Sequence, residues 1–113
     1  MKSADTLKRQ VKRAYSDKAE EATSCCCSKK KQNSLAGDYS KVSGYVEDAD
    51  LGLGCGIPTQ HITISPGDTV LDLGAGAGND VFVARSLVGE TGTVIGVDFT
   101  EKMTALAERN RKK

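Results

Sequence analysis

The chain has 113 residues, of which 38% are apolar, so it has room for at most one domain of ordinary globular composition. With 16 basic and 15 acidic residues its formal charge is +1, and aromatic residues make up 4%, so neither charge nor stacking surface favours a nucleic-acid partner. Its apolar runs are only a few residues long, which predicts no membrane span and no signal-peptide core, and makes a cytoplasmic location the default expectation.

The first half of the chain predicts one long helix followed by a loop. Apolar residues recur at helical spacing between charged ones, so an amphipathic helix is expected from about Asp5 to Ala22. Ser, Lys, Asn and Gly then break the pattern from Ser24 to Tyr39, which predicts a loop. Pro58 suits the first position of a short helix that runs to about Ile62. The apolar positions of the long helix are Leu7, Val11, Ala14, Tyr15 and Ala22.

The second half predicts strands that alternate with helices. Val70–Leu73 and Thr93–Val97 are short apolar runs, and each follows a turn, so both are expected to be strands. The helix between them would end at Gly89, and Thr100 would cap a last helix. This order predicts an α/β fold that begins as a parallel, doubly wound sheet. The helical residues expected to be buried are Val81, Ala84, Leu87 and Val88, then Met103, Leu106 and Ala107.

A nucleotide cofactor site is predicted where the first strand meets the glycine turn 74–78. Glycines at alternate positions let the backbone turn sharply and approach a ligand closely. A dinucleotide fingerprint would place its last small residue at Asn79, which is too large for tight helix–strand packing, so that interpretation is weakened. Asp98 stands at the carboxyl end of the second strand, about 20 residues after Gly78. This is the separation at which doubly wound folds place an acidic side chain against the ribose hydroxyls of a nucleotide.

The cysteines are the second informative feature. Cys25, Cys26 and Cys27 are adjacent, and Cys55 stands between glycines. Adjacent Cα atoms lie about 3.8 Å apart, whereas a relaxed disulfide needs roughly 4.4–6.8 Å, so one of the three is better placed to meet Cys55. They can be loop thiols without a role, or zinc ligands with His61, although structural zinc sites usually use paired ligands. A soft, thiophilic ion suits this set of thiols best.

Taken together, the cysteines and the glycine turn resemble the amino-terminal part of the arsenite S-adenosylmethionine methyltransferases. The glycine turn itself is similar to motif I of the class I methyltransferases and is shared by very many of them, whereas the G-L-G-C-G-x-P pattern at 52–58 is far more specific. The resemblance implies a partial Rossmann-like class I fold, with the first two strands and flanking helices preceded by N-terminal helices and a Cys-rich loop. The matching stretches are 24–26, 38–40, 51–58, 70–80 and 96–100.

The resemblance implies that S-adenosylmethionine is the cofactor. This cofactor has no pyrophosphate that Asp72 would repel, and its cationic amino-acid end would interact with that carboxylate, directly or through water. Asp98 would hold the ribose, and Phe99 and Met103 would lie near the adenine. The implied cofactor residues are Asp72, Gly74, Ala75, Gly76, Gly78, Asn79, Asp98, Phe99, Thr100 and Met103.

The resemblance also implies a substrate, arsenite or an arsenic(III)–thiol conjugate. Cys55 and one of Cys25 or Cys26 would bind the arsenic, with Cys55 and Cys26 as the catalytic pair; Cys27 stands where relatives often have glycine. Thiolate-bound arsenic(III) keeps a lone pair that attacks the sulfonium methyl, so no general base is needed. Each transfer oxidises arsenic, so disulfide formation and a cellular thiol reductant would return it to the trivalent state.

The chain offers two of the seven strands of a class I methyltransferase sheet. We therefore expect a fragment, or a chain completed by a partner, that alone is marginally stable or self-associating and without turnover. The expected division is an N-terminal helical and Cys-rich segment, 1–57, followed by the start of the cofactor domain, 58–113. Two alternatives stay open: a non-catalytic thiol-rich metal-binding module, and a class I methyltransferase acting on another small acceptor.

Overall fold

The structure is a computed structural model that describes residues 3–24, 37–54 and 56–113. Three α-helices and two β-strands are present in these ranges, together with three short 3₁₀ helices. Not one of these helices is sufficiently long and apolar to span a membrane. The elements are α1 (Ala4–Thr23), β1 (Thr69–Leu73), α2 (Asn79–Val88), β2 (Thr93–Val97) and α3 (Glu101–Arg111), with 3₁₀ helices at Tyr39–Lys41, Glu47–Ala49 and Pro58–Gln60.

The two strands form a parallel pair joined by α2. Asp72 lies opposite Gly96 in the register. A Cβ atom at Gly96 would lie 2.8 Å from Val81 Cγ2 and 3.0 Å from Ala75 Cβ, so the glycine lets α2 and the preceding turn pack closely on β2. The opposite face of the pair is exposed and apolar, as expected for a sheet of only two strands. Its residues are the register partners Leu71 with Ile95 and Leu73 with Val97.

Helix α2 buries a slightly different face from the one that its sequence pattern predicts. Ala84 and Val88 are buried as expected, but Leu87 is exposed and Val83 takes its place. Val83 packs against Tyr39 and Ile57, which come from the chain before the sheet. The helical periodicity alone could not show that this earlier segment covers α2.

Helix α1 begins and ends within one residue of the prediction, but its predicted apolar face is wrong. Ala19 is the buried residue of this helix, while all five predicted apolar positions are exposed. Ala19 packs with Met103 and Leu106 of α3. Two ion pairs flank this contact, with 3.1 Å between Lys12 Nζ and Glu101 Oε1, and a second between Lys102 and Glu20. Helix α1 therefore approaches α3 through the small side chain of Ala19 and not through the larger apolar side chains of the predicted face.

Two local predictions also need correction. The turn after Pro58 is a 3₁₀ helix that ends at Gln60, because the β-branched residues 62–64 that follow favour extended backbone. Thr100 does occupy the position before α3, but its side chain makes no capping hydrogen bond. Its backbone N–H instead donates to Asp98 Oδ1 at 2.8 Å. The expected burial of Met103 and Leu106 is confirmed.

Candidate functional site

A cleft of about 310 Å³ opens at the carboxyl ends of β1 and β2. Open α/β sheets bind their ligands at this edge, since the turns that follow the strands meet there. Both halves of the chain contribute to its walls, including Tyr15 of α1 and Tyr39. Most of the cofactor residues implied by the resemblance line it, namely Gly74, Ala75, Gly76, Asn79, Asp98, Phe99, Thr100 and Met103.

The glycine turn needs glycine for two different reasons. Gly74 and Gly76 have φ values of 82° and 54°, and a Cβ atom at either would meet nothing within 4 Å. At these two positions the backbone conformation is therefore what requires glycine. Gly78 does not line the cleft; its φ of 95° also favours glycine, and in addition a Cβ atom there would lie 2.9 Å from Phe82 Cε2 at the start of α2.

Asp98 connects the glycine turn to α3. Its Oδ2 accepts a hydrogen bond from Gly76 N at 3.0 Å, and its Oδ1 accepts one from Thr100 N at 2.8 Å. Each carboxylate oxygen can accept a second hydrogen bond, so the group is still able to receive ribose hydroxyls. Charge-assisted bonds of this kind hold the carboxylate at a fixed place in the cleft wall.

The cleft fits a ligand that carries hydrogen-bond donors. Asn79 Oδ1 and Thr100 Oγ1 are buried oxygens with no hydrogen-bond partner among the described residues, and both residues line the cleft. A buried polar atom without a hydrogen-bond partner destabilises the folded protein by roughly 1–3 kcal/mol. Two such oxygens in one cleft therefore mark a place where a ligand with hydrogen-bond donors is expected. An adenosine-containing cofactor offers hydroxyl and amino donors of this type.

Three carboxylates lie around the glycine turn, and they favour a cationic ligand. Burial raises the pKa of Asp72 above its ordinary value, and the neighbouring charges of Asp80 and Asp98 raise it further. A positively charged group bound beside Asp72 would relieve this repulsion and favour the ionised carboxylate. Asp72 itself does not line the cleft but stands on β1 directly below the glycine turn.

Tyr39 and Asp80 were not singled out from the sequence as site residues. Tyr39 was expected at the end of a loop, yet it begins a 3₁₀ helix and is 2% exposed. A signal for this was available in Asp38, whose Oδ1 accepts a hydrogen bond from Ser40 N at 3.0 Å, the turn-forming contact typical of aspartate. Nothing in the sequence showed that the Tyr39 side chain reaches α2.

The cysteine predictions lie outside the described residues. Cys25, Cys26, Cys27 and Cys55 all fall in the parts of the chain that the structure does not describe, so the arsenic-binding set stays a prediction. Within the described ranges, no group of three or more His, Cys, Asp or Glu side chains is arranged to hold a metal ion.

Comparisons with known proteins agree with this geometry. Residues 64–113 match a family described as "Methyltransferase domain". The chain is 50% identical over 76 residues to an arsenite methyltransferase of Halobacterium salinarum. This alignment covers 67% of the chain and 19% of the Halobacterium protein. It is 44% identical over 54 residues to an arsenite methyltransferase of Aquipseudomonas alcaligenes, covering 48% of the chain and 15% of the relative.

A methyltransferase named for a different substrate is also similar to the chain. A probable cobalt-precorrin-6B C(15)-methyltransferase of Saccharolobus solfataricus is 44% identical over 52 residues, which is 46% of the chain and 26% of the relative. No solved structure matches the chain. The chain spans about a fifth of the length of the first of these relatives, and about a quarter or less of the others.

These matches show that the chain is similar to methyltransferases. Its two parallel strands and flanking helices are consistent with a partial class I methyltransferase fold. The predicted resemblance to arsenite methyltransferases is confirmed by the two similar proteins of that name.

Proposed function

We propose that the full-length protein transfers a methyl group from S-adenosylmethionine to arsenic(III) held by thiolates. The observation that supports arsenic as the acceptor is the length of one alignment. The match to the Halobacterium arsenite methyltransferase covers 76 residues, more than the segment 64–113 can contain, so the likeness extends beyond the methyltransferase domain itself. A shared glycine turn alone would not account for this extension.

The described residues are suited to holding this cofactor at the strand ends. When bound, S-adenosylmethionine supplies an electrophilic methyl group on a sulfonium sulfur. Asp98 would accept hydrogen bonds from the ribose, and Asp72 would interact with the cationic amino-acid end. Phe99, more than half exposed in the cleft wall, and the buried Met103 would pack beside the adenine.

On the acceptor side, the chain needs to bind and orient arsenic rather than remove a proton. Cys55 with Cys25 or Cys26 would hold arsenic(III) as thiolates, which are the ligands that a soft ion prefers. Arsenic bound in this way keeps the lone pair that forms the new bond to carbon.

The direct test is methyl transfer by the purified full-length protein. With cofactor labelled at the methyl group, a reduced thiol and arsenite, we expect labelled methylarsenic, and we expect none when arsenite is omitted. Label that appears on another small acceptor would support the alternative methyltransferase instead. Arsenite binding without any calorimetric binding of S-adenosylmethionine would show a thiol-rich binding module and contradict the proposal.

Replacement of Asp72 by asparagine should change stability and cofactor binding in opposite directions. Because the pKa of Asp72 is raised in the folded protein, the folded state binds a proton more tightly than the unfolded state does. Stability is therefore lost as pH rises from the ordinary Asp value of 3.8 through the raised pKa. Asp72→Asn should remove this loss and raise the thermal midpoint at neutral pH, while cofactor affinity falls roughly tenfold.

Thermal unfolding of the full-length protein from pH 3 to pH 8, together with calorimetric titration of the cofactor, measures both effects. The exposed Asp68, in the turn before β1, provides the matched control as Asp68→Asn. The difference in midpoint between Asp72→Asn and the unchanged protein should shrink at the acid end of the range. Equal cofactor affinity in the two proteins would remove Asp72 from the site.

A further inference from the structure

Acidic side chains are the charged groups that line the cleft within the described part of the chain. They are Asp50, Asp80 and Asp98. Thr100, which is fully buried, lines the same cleft with a hydroxyl oxygen that has no hydrogen-bond partner among the described residues. A cleft lined by charges of one sign attracts ligands of the opposite sign, so this cleft favours a ligand that carries a cationic hydrogen-bond donor.

The three carboxylates differ in how many of their oxygens the protein already uses. Both oxygens of Asp98 accept hydrogen bonds from backbone N–H groups. Both oxygens of Asp50 are also used, by Gly52 N at 3.0 Å and by the Tyr45 hydroxyl at 3.3 Å. Asp80 accepts a single hydrogen bond, at Oδ1, which leaves Oδ2 without a partner among the described residues. Asp80 is therefore the carboxylate of the cleft wall that has a whole oxygen available for a ligand.

The Tyr39 hydroxyl holds the Asp80 side chain in the cleft wall. It donates to Asp80 Oδ1 at 2.8 Å, and it also lies 2.6 Å from Gly56 O. Its ring is 2% exposed and packs against Ile57 and Val83, so the donor stands at a fixed place. Burial raises the pKa of Tyr39 well above its ordinary range, and the hydrogen bond to Asp80 raises it further. The hydroxyl therefore keeps its proton at physiological pH and remains a donor to Oδ1.

We propose that Asp80 binds the α-ammonium group of S-adenosylmethionine directly, while Asp72 acts on it only from below the glycine turn. Asp80 follows that turn in α2 and lines the cleft, whereas Asp72 lies on β1 and does not. A hydrogen bond between an ammonium group and a carboxylate is about twice as strong as one between neutral groups. This assignment rests on the proposed function, since it supposes that S-adenosylmethionine is the ligand of the cleft.

Replacement of Asp80 by asparagine in the full-length protein tests the contact with three ligands. Asparagine keeps an oxygen for the Tyr39 hydroxyl and removes the negative charge. S-Adenosylhomocysteine has the ammonium group but no sulfonium charge, and 5′-methylthioadenosine has no amino-acid end at all. By calorimetric titration we expect the Kd of S-adenosylmethionine and of S-adenosylhomocysteine to rise roughly 10- to 100-fold. The Kd of 5′-methylthioadenosine should change less than about threefold.

Glu101→Gln is the matched control. A carboxylate in the first turn of a helix also stabilises the helix, and Asp80 has this position in α2. Glu101 has the same position in α3, but it does not line the cleft. We expect Glu101→Gln to bind all three ligands as the unchanged protein does, and the two variants to have similar thermal midpoints.

Three results would overturn the proposal. Unchanged affinities in Asp80→Asn would remove Asp80 from the site. Equal losses for all three ligands, with a lower thermal midpoint, would show that the carboxylate only supports the fold. A loss for S-adenosylmethionine alone would show that Asp80 faces the sulfonium group instead.

Failure of the proposed function has a different result. If the unchanged protein binds the three ligands but does not methylate arsenite, the proposed acceptor is wrong, and the three affinities still decide the role of Asp80. If the unchanged protein binds none of them, the proposed cofactor is wrong, and the assignment of Asp80 is wrong with it.

Discussion

Replacing Asp98 with alanine is expected to weaken binding of S-adenosylmethionine to the full-length protein by roughly 1–3 kcal/mol, or about 5- to 150-fold in Kd. The change removes an acceptor for the ribose hydroxyls. It also releases Gly76 N and Thr100 N, which Asp98 holds at 3.0 and 2.8 Å. The glycine turn and the start of α3 would then lose their connection, so the loss should lie at the upper end of this range.

Calorimetric titration measures the change in Kd, and two further variants define its cause. Asp98→Asn keeps one acceptor oxygen for a backbone N–H and should give an intermediate loss. Glu101→Ala removes an exposed carboxylate three residues further along and should leave the affinity unchanged. If Asp98→Ala binds the cofactor as tightly as the unchanged protein, Asp98 has no part in the site.

Replacing Cys55 with serine should have the largest effect on arsenite methylation. A hydroxyl is a poor ligand for a soft ion, whereas a thiolate binds it strongly. Changes to the outer partners of metal ligands already cost 10- to 100-fold, so loss of a ligand should lower the rate by more than about 100-fold. Methyl transfer to arsenite and arsenite binding, both followed in the full-length protein, provide the measurement.

The three adjacent cysteines supply internal controls for this experiment. We expect Cys25, Cys26 and Cys27 to substitute for one another, so serine at any single one of them should be much less damaging than Cys55→Ser. Cofactor affinity should remain normal in all four variants, because none of these residues is among those assigned to the cofactor. Methylation that persists in Cys55→Ser would show that the arsenic-site assignment is wrong.

The local β–α–β unit could be predicted from the sequence because its signals are local. The glycine turn, the two apolar runs and the acid after the second run all lie within about 30 residues of one another. Strand bounds, parallel pairing and the position of Asp98 in the cleft wall follow from that short pattern.

Contacts between distant segments could not be predicted in the same way. Val83, rather than Leu87, is buried because Tyr39 and Ile57 cover that side of α2. Ala19 is the buried residue of α1 because α3 lies against it, and a small side chain permits the approach. Periodicity shows which residues of a helix could share a face, but the partner decides which face is covered.

The Tyr39–Asp80 contact has a consequence for the order in which the cleft opens. Strand β1, the glycine turn, α2 and β2 are contiguous, whereas this contact joins residues 41 positions apart and the Lys12–Glu101 pair joins residues 89 apart. Closing such long loops costs more chain entropy than forming the contiguous unit. Segments held by few distant contacts open at lower free energy than the unit on which they rest. Helix α1 and the segment that contains Tyr39 are held by such distant contacts and by the buried clusters around Met103 and Val83, so we expect them to open before the contiguous unit does.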